Sequence, residues 1–493
     1  VASSKSEGGS LLEIKKAAED TPSAAINSDC NTTVLQKPIP IKIRENILVP
    51  SNTPKAILSK IIAENTFQNP RFASNEKNGF SNYKTPQFIK TFSERTEGII
   101  VPVGFGRRLL HIFEEQATAV ELVDERASIS CEFPILHDVQ LRDYQQRAVD
   151  QAMNASQGCI ISPTGSGKSF IGLEIICRRR QKALILVHRG DLADQWDRII
   201  KERLGLTAGF IGCGHWWIGN EITIAMVQTA AKQAKKLSDE FGLVLVDEAH
   251  HIPAQNTFSL LGRLSARFRY GLTATPTRAD GLENLLYMAI GPAVETICRD
   301  EVEGRGATVP ATVKLINTRF DPGLVSTWQE YVSALTTSPE RNKLIVLLAK
   351  EQSSPTLILV DRIEHAEIIS GMLSHDSVEH VLVHGQLPHP GRAEAMQRMR
   401  TAAITIGTTS LLGEGLDVAA WSCLILAAPI SSETKLLQAV GRVVRSAPGK
   451  TASTVFDLKD NHAFSGASFN SRFEIYKKHK IWVDFTEKRE QTA

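Results

Sequence analysis

The sequence predicts an α/β protein: two successive parallel-sheet domains behind a small N-terminal α+β domain. Three observations predict it. Five short β-rich runs (159–162, 183–187, 222–227, 243–247 and 270–273) alternate with helical stretches, and five more (356–360, 378–383, 403–407, 423–428 and 453–458) repeat the pattern. The runs are apolar throughout rather than alternating in polarity, as strands buried on both faces of a parallel sheet must be. Only the first series carries a glycine-rich turn after its first strand, at 162–169, which reads S-P-T-G-S-G-K-S. One such turn in two five-stranded domains suggests a nucleotide held in the cleft between them.

A chain of 493 residues has room for about three domains. Hydrophobic residues at 42% and charged ones at 22% describe a globular protein with an ample core. No apolar run approaches the roughly 18 residues of a membrane span, so no membrane role is expected. Residues 1–20 show no secretory pattern. The seven cysteines are scattered without a C-x-x-C pair, which argues against a zinc site and for a reducing cytoplasm. With a net charge of only +2, any nucleic-acid surface must be local.

Taken in order, residues 1–36 are rich in Ser, Ala, Asn and Thr and read as a disordered tail. Residues 37–132 form the accessory domain. Ile39, Ile41 and Ile43 alternate with polar residues and Pro40, as in an edge strand. Thr53 and Pro54 resemble an N-cap and first helical position before Ile57, Leu58, Ile61 and Ile62. A strand near 98–103 and a helix near 108–116 close the domain. The first α/β domain spans 133–298, a charged linker covers 299–310, and the second α/β domain spans 311–493.

The turn at 162–169 has the chemistry of a phosphate loop. Gly165 and Gly167 let the backbone curl and aim N–H groups at phosphate oxygens, with Pro163, Thr164 and Ser166 completing the loop. Lys168 can reach the β- and γ-phosphates, and the Ser169 hydroxyl suits Mg²⁺. Ser162 stands where the general pattern has its first glycine. A plain Gly/Ser turn before a helix is the competing reading. About 80 residues on, a buried run ends in Asp247, Glu248, Ala249 and His250. Carboxylates at the C-terminal end of a parallel strand lie where such sheets bind ligands. Asp247 can hold Mg²⁺ and Glu248 can orient an attacking water.

Together these stretches resemble superfamily 2 DEAH-type helicases and translocases, over residues 133–480. The resemblance implies two tandem RecA-like domains, ATP and Mg²⁺ as cofactors, and nucleic acid as partner. Arg142 and Gln145, in L-R-D-Y-Q, match the adenine-reading stretch. Residues 186–196, with Arg189 and ending in Gln195 and Trp196, resemble the first DNA-backbone motif. Gln228 and Thr229 resemble the next. His250, Thr273 and Thr275 match positions that couple hydrolysis to the nucleic acid. In the second domain Asp361 and Arg362 match motif IV, and Thr408, Thr409, Gly415 and Asp417 match motif V. Gln438, Arg442 and Arg445 match Q-x-x-G-R-x-x-R. Their three-residue spacing predicts both guanidiniums on one helical face, as arginine fingers. The motifs most resemble the DNA-translocating branch, with xeroderma pigmentosum B-type, phage recombination and restriction-motor proteins.

The expected function is ATP-driven movement on or unwinding of DNA. An RNA helicase and a nucleotide-gated clamp or sensor are the alternatives. No nuclease or methylase signature is visible, so a protein partner would supply such activity. Residues 37–95 carry ten Lys/Arg and four acids, a local +6 against +2 for the chain, interleaved with Phe67, Phe72, Phe80, Tyr83, Phe88 and Phe92. That texture fits a nucleic-acid grip as well as it fits an aromatic core with solubilising lysines. Trp216 and Trp217 are expected to pack on the first domain in a loop rather than to stack on bases.

Overall fold

The computed structural model describes residues 37–77, 79–134, 140–252, 255–274, 282–304, 306–387, 389–409 and 418–485. The expected tail at 1–36, and the candidates Thr275, Gly415 and Asp417, lie outside these residues. Two units emerge from the internal contacts: Val1–Ile161 with Ser169–Thr296, and Ser162–Lys168 with Ile297–Ala493.

The accessory segment builds its own sheet. Its strands are β1 (Ile39–Ile43), β2 (Asn46–Pro50), β3 (Thr66–Gln68), β4 (Phe88–Lys90), β5 (Ser93–Arg95), β6 (Gly98–Pro102) and β7 (Val120–Asp124). Five of them order as β5-β6-β2-β1-β7, while β3 and β4 form a separate ribbon. β1 is therefore interior, not an edge. Pro40 is tolerated because β2 pairs only with Lys42 and Ile43, which leaves the start of β1 paired on the β7 side alone. The first helix runs Lys55–Glu64 with Pro54 at its N-cap, and Thr53 makes no side-chain cap. Its Ile57 and Ile61 join Ile41, Ile47, Val49, Ile99, Val101, Leu109, Ile112 and Phe113 in an almost wholly aliphatic core. Of the six aromatics between 67 and 92, only Phe92 packs on that core. Phe80, Tyr83 and Phe88 are exposed, so the alternative in which these aromatics form the domain's core does not hold for them.

This segment docks firmly on the first α/β domain. Arg269, fully buried, donates to the carbonyls of Leu261, Leu264 and Ala266 and, across the junction, to Glu45 O at 3.2 Å. Asn46 Nδ2 donates to Gly262 O at 2.8 Å. At Gly104 a Cβ would stand 2.2 Å from Tyr287 O, so only glycine permits the approach.

The first α/β domain has eight strands rather than the expected five. They are β8 (Gln157–Ile161), β9 (Ala183–Val187), β10 (Gly209–Gly212), β11 (His215–Trp217), β12 (Ile222–Met226), β13 (Leu243–Val246), β14 (Phe268–Thr273) and β15 (Ala293–Thr296). Their order is β11-β10-β12-β9-β13-β14-β8-β15. All pairings are parallel except that of β10 with β11, a hairpin whose strands of four and three residues are too short for periodicity to show. Trp216 therefore sits on a strand, half-buried against the core with Lys236 over its ring, and Trp217 is exposed.

The second domain has seven parallel strands where five were expected: β16 (Ala311–Asn317), β17 (Thr356–Val360), β18 (Val381–Val383), β19 (Ile404–Thr408), β20 (Cys423–Leu426), β21 (Ser453–Lys459) and β22 (Trp482–Asp484). They order as β18-β19-β17-β20-β21-β16-β22. Separate apolar clusters, around Trp421 and around Ile358, pack this sheet. Two buried guanidiniums tie β21 and the residue after it to helices: Arg472 to Asp457 at 2.7 Å and Arg341 to Asp460 at 2.9 Å. The expected linker is partly helical, as Arg299–Gly304, and Thr308 bridges to Arg445. No helix among the described residues is long and apolar enough to cross a membrane. The six described cysteines are free.

Candidate functional site

Five neighbouring parallel strands, β12-β9-β13-β14-β8, end at one edge of the first sheet. Chain connectivity places a candidate at each carboxyl end. Gln228 and Thr229 come after β12, His188 and Arg189 after β9, and Asp247 and Glu248 after β13. Thr273 closes β14, and the loop at 162–168 leaves β8. In parallel sheets this is the edge that binds ligands.

The loop's geometry fits a polyphosphate. Gly165 and Gly167 have φ of 86° and 81°, which L side chains rarely adopt. Ser162 has no such φ, so a serine fits where the general pattern has glycine. Its buried hydroxyl bonds that of Ser166, which donates to Pro163 O at 2.7 Å and ties the loop to itself. Lys168 opens the helix Lys168–Arg179 and donates to Ser162 O at 3.3 Å. The helix N-terminus adds partial positive charge next to the loop.

Asp247 is buried and held from two sides. Trp196 Nε1–H donates to its Oδ2 at 2.9 Å, and the Glu248 N–H donates to its Oδ1 at 2.9 Å. Gln195 Nε2 lies 3.4 Å from Ser169 Oγ as a donor. The DNA-backbone resemblance covers Gln195 and Trp196, yet the structure turns both toward the nucleotide residues. The sequence carries the signal: Ala193, Trp196, Ile200 and Leu204 are buried at helical spacing, so the face holding Trp196 points into the sheet. Arg189, at the N-cap of helix Gly190–Leu204, is half-exposed, beside Asp191 at 3.5 Å.

Glu248 adopts φ 48° and ψ 53°, a left-handed conformation that costs a non-glycine residue on the order of 1 kcal/mol. No sequence pattern announces it. His250 is buried, with Nδ1 at 3.2 Å from Thr273 Oγ1 and 3.3 Å from Glu248, joining β13's end to β14's. His251 lies between two tilted neighbours, its ring 4.2 Å from that of His250 and 4.8 Å from that of His188. Burial, with His250 nearby, pushes the His188 imidazole down to about 4, so it is neutral at physiological pH. No group of three His, Cys, Asp or Glu residues among the described ones could hold a metal alone.

Gln145 lies buried in the first turn of helix Asp143–Met153, its Oε1 accepting the Arg142 N–H at 2.9 Å. Gln228 is exposed and donates to His188 O at 3.3 Å, linking the two backbone-motif candidates. Thr229 lies beside it in helix Val227–Lys232.

In the second unit, β17 and β19 are neighbours, and Thr409 Oγ1 donates to Asp361 Oδ1 at 3.0 Å. Thr408 is buried at the end of β19, while Arg362 donates to Ser333 Oγ at 2.7 Å. Gln438 and Arg442 lie on helix Glu433–Val443. Arg445 does not, so the expectation of one shared helical face is corrected. The chain leaves the helix after Val444, whose carbonyl accepts Val309 N–H at 2.7 Å, and Arg445 pairs with Thr308 as a β-bridge.

Residues 138–278 match the family described as Type III restriction enzyme, res subunit, and residues 340–447 match the Helicase conserved C-terminal domain. The DNA 3'-5' translocase XPB2 of Sulfurisphaera tokodaii is 27% identical over 366 residues, covering 66% of this chain and 83% of that protein. The probable helicase D10 of Escherichia phage T5 is 26% identical over 379 residues, covering 75% of this chain and 82% of that protein. A fragment of a putative HsdR subunit of a type I restriction enzyme from Vibrio vulnificus shares the fold, with TM-score 0.53 and 21% identity over 68% of this chain and 66% of that one. With two parallel-sheet domains, a glycine-rich turn after the first strand and a strand-end Asp-Glu pair in place, the chain belongs to superfamily 2, the helicases and translocases.

Proposed function

We propose that the chain is a DNA motor, a translocase or helicase that couples Mg-ATP hydrolysis to movement on DNA. The observation that carries this reading is the shared carboxyl edge of β12, β9, β13, β14 and β8. There the nucleotide candidates and the backbone-motif candidates occupy adjacent strand ends of one rigid sheet. In this reading Gly165 and Gly167 shape the loop that, with Pro163, Thr164 and Ser166, receives the triphosphate. Lys168 neutralises its terminal charge. Ser169 and Asp247 would hold Mg²⁺, which when bound screens the phosphate oxygens. Glu248 orients the attacking water, and Arg142 and Gln145 receive the adenine. Gln438, Arg442, Arg445, Gly415 and Asp417, by their match to the family motifs, are the second domain's own candidates for nucleotide contact. Arg189, Gln228, Thr229, Asp361, Arg362, Thr408 and Thr409 follow the DNA backbone, and His250, Thr273 and Thr275 relay the state of the site. The names of the archaeal translocase and the phage helicase support DNA as the track.

The test is ATP turnover of the purified chain with single-stranded, duplex and forked DNA and with RNA, at two salt concentrations, since phosphate contacts are salt-sensitive. Strand or protein-block displacement is measured in parallel. DNA-stimulated turnover with displacement is expected. Stimulation without displacement would leave a clamp, preferential stimulation by RNA would leave an RNA helicase, and no stimulation by any strand would sink the reading.

A further inference from the structure

Between residues 66 and 92 the accessory domain carries an excursion without an apolar core. The ribbon of β3 and β4 forms its base, pairing Phe67 with Ile89 and Gln68 with Phe88. Helix Pro70–Lys77 and the turns after it lie between the strands. Six aromatics fall in this stretch of a chain that is only 6% aromatic, yet none of its described apolar side chains is buried. Phe80 is 68% exposed, Tyr83 91% and Phe88 45%.

The excursion nonetheless has a defined backbone, held by asparagines. Asn65 Oδ1 accepts from Thr91 Oγ1 at 2.9 Å, and Asn69 Nδ2 donates to Pro86 O at 2.8 Å. Asn75 Nδ2 donates to Asn82 Oδ1 at 3.0 Å, and Asn82 Nδ2 donates to Phe72 O at 3.2 Å. A segment pinned by polar bonds has no folding need for outward rings, because apolar side chains stabilise a fold only when removed from water. Its charge is one-sided: Arg71, Lys77, Lys84 and Lys90 are exposed against the single acid Glu76. Strand alternation places Phe88 and Lys90 on the same face of the ribbon, so a ring and a cation face outward together.

We propose that this excursion is a stacking platform for single-stranded DNA. Bases stack on Phe80, Tyr83 and Phe88 while the lysines follow the phosphates, the combination by which proteins hold single strands without reading sequence. A protein partner would use the rings equally well, but the four-to-one excess of cations favours a polyanion. The inference rests on the reading that this chain acts on DNA, and its test is independent of ATP turnover.

The full chain, without nucleotide, is titrated into a labelled oligodeoxythymidine and into an abasic strand of equal length, at two salt concentrations. In the variant Phe80→Ala/Tyr83→Ala/Phe88→Ala, affinity for the base-bearing strand should fall about tenfold for each ring that carries a base, the ratio of a contact worth about 1.4 kcal/mol. Wild type should prefer the base-bearing strand by the same factor, and the variant should not discriminate. Lys77→Ala/Lys84→Ala/Lys90→Ala should flatten the salt slope by about 0.7 for each phosphate left without its cation. Because the rings lie outside the aliphatic core, melting temperature and basal ATP turnover should be unchanged. Equal affinity of wild type and ring variant for the base-bearing strand overturns the platform. So does an equal loss on both strands. If wild type discriminates bases but no DNA stimulates its ATP turnover, the platform stands and the motor reading fails.

Discussion

Replacing Trp196 by phenylalanine isolates one hydrogen bond in the candidate nucleotide site. The indole is wholly buried, and its N–H donates to Asp247 Oδ2 at 2.9 Å. Phenylalanine keeps an aromatic ring in the slot but removes the donor. A buried carboxylate then loses the fixed donor on Oδ2, while the Glu248 N–H stays on Oδ1. Hydrogen bonds to charged groups are worth about 1.5–3 kcal/mol, and if that orientation is needed when ATP is cleaved, turnover falls about ten- to a hundred-fold. The assay is steady-state ATP turnover at graded Mg²⁺, with melting temperature alongside. The expected result is lower turnover with a raised Mg²⁺ requirement. Trp421→Phe is the control: this indole is equally buried in the second domain, but its N–H has no partner among the described residues. There the packing loss should lower stability without touching Mg²⁺ dependence. If both variants leave turnover and Mg²⁺ dependence at wild-type levels, Trp196 does not position Asp247 for chemistry.

Lys168→Ala should abolish hydrolysis, whereas Glu248→Gln should retain ATP binding and stall turnover, checked by nucleotide binding beside ATP turnover; normal turnover in Glu248→Gln removes it as the water-orienting residue. Arg445→Ala should cut turnover by on the order of 10³-fold with little change in ATP affinity, as arginine fingers elsewhere do; Arg180→Ala, on an exposed side chain, should change neither. His365 is buried, Nε2–H donating to Asn342 Oδ1 at 2.9 Å, and burial beside Arg341 pushes its imidazole down to about 3. The folded state thus binds fewer protons than the unfolded one below the ordinary histidine value. The stability it contributes is present above about pH 6.5 and falls by up to about 1.4 kcal/mol per pH unit as pH drops toward 3. Urea unfolding across pH 7 to 4 should show a flatter profile in His365→Gln, and identical profiles would refute the assignment.

The glycine turn after β8 and the strand ending before Asp247 were legible because buried parallel strands are continuous apolar runs and the turns after them demand particular residues. Strand number was not. β10, β11, β15 and β22 are short and partly exposed, so they carry neither the apolar run nor the alternation that periodicity detects. Arg445 looks helical in sequence because its spacing from Arg442 is helical, but a backbone pairing with residues 307–309 ends the helix first. Spacing reports a face only while the helix lasts. The accessory aromatics were ambiguous for a different reason: composition does not say which residues a core has already supplied. Once Ile41, Ile57, Ile61, Val101 and Ile112 fill it, the rings have nowhere to go but out.

The helix Gly190–Leu204 suggests how one motif can serve two sites. Its N-cap, Arg189, is the candidate for a DNA phosphate, while Gln195 and Trp196 reach Ser169 and Asp247. Six or seven residues of helix separate them, about 10 Å at 1.5 Å per residue. Over two turns an α-helix curves only slightly, and a sharp kink needs a proline, a bulge or an inserted group. A displacement of Asp247 or Ser169 therefore moves Arg189 with it as part of one rigid element. A second link runs beside the first, through His250 and His251 to His188 at the end of β9. The two links make opposite demands on mutation. The histidines meet through tilted ring contacts that a phenylalanine ring can also make, so His251→Phe should preserve coupling between DNA binding and ATP turnover. Trp196→Phe should weaken it, because the helix would lose its fixed grip on Asp247. Measuring DNA affinity with and without a non-hydrolysable ATP analogue in both variants separates them. A coupling lost in His251→Phe and kept in Trp196→Phe would show that the helix is not the lever.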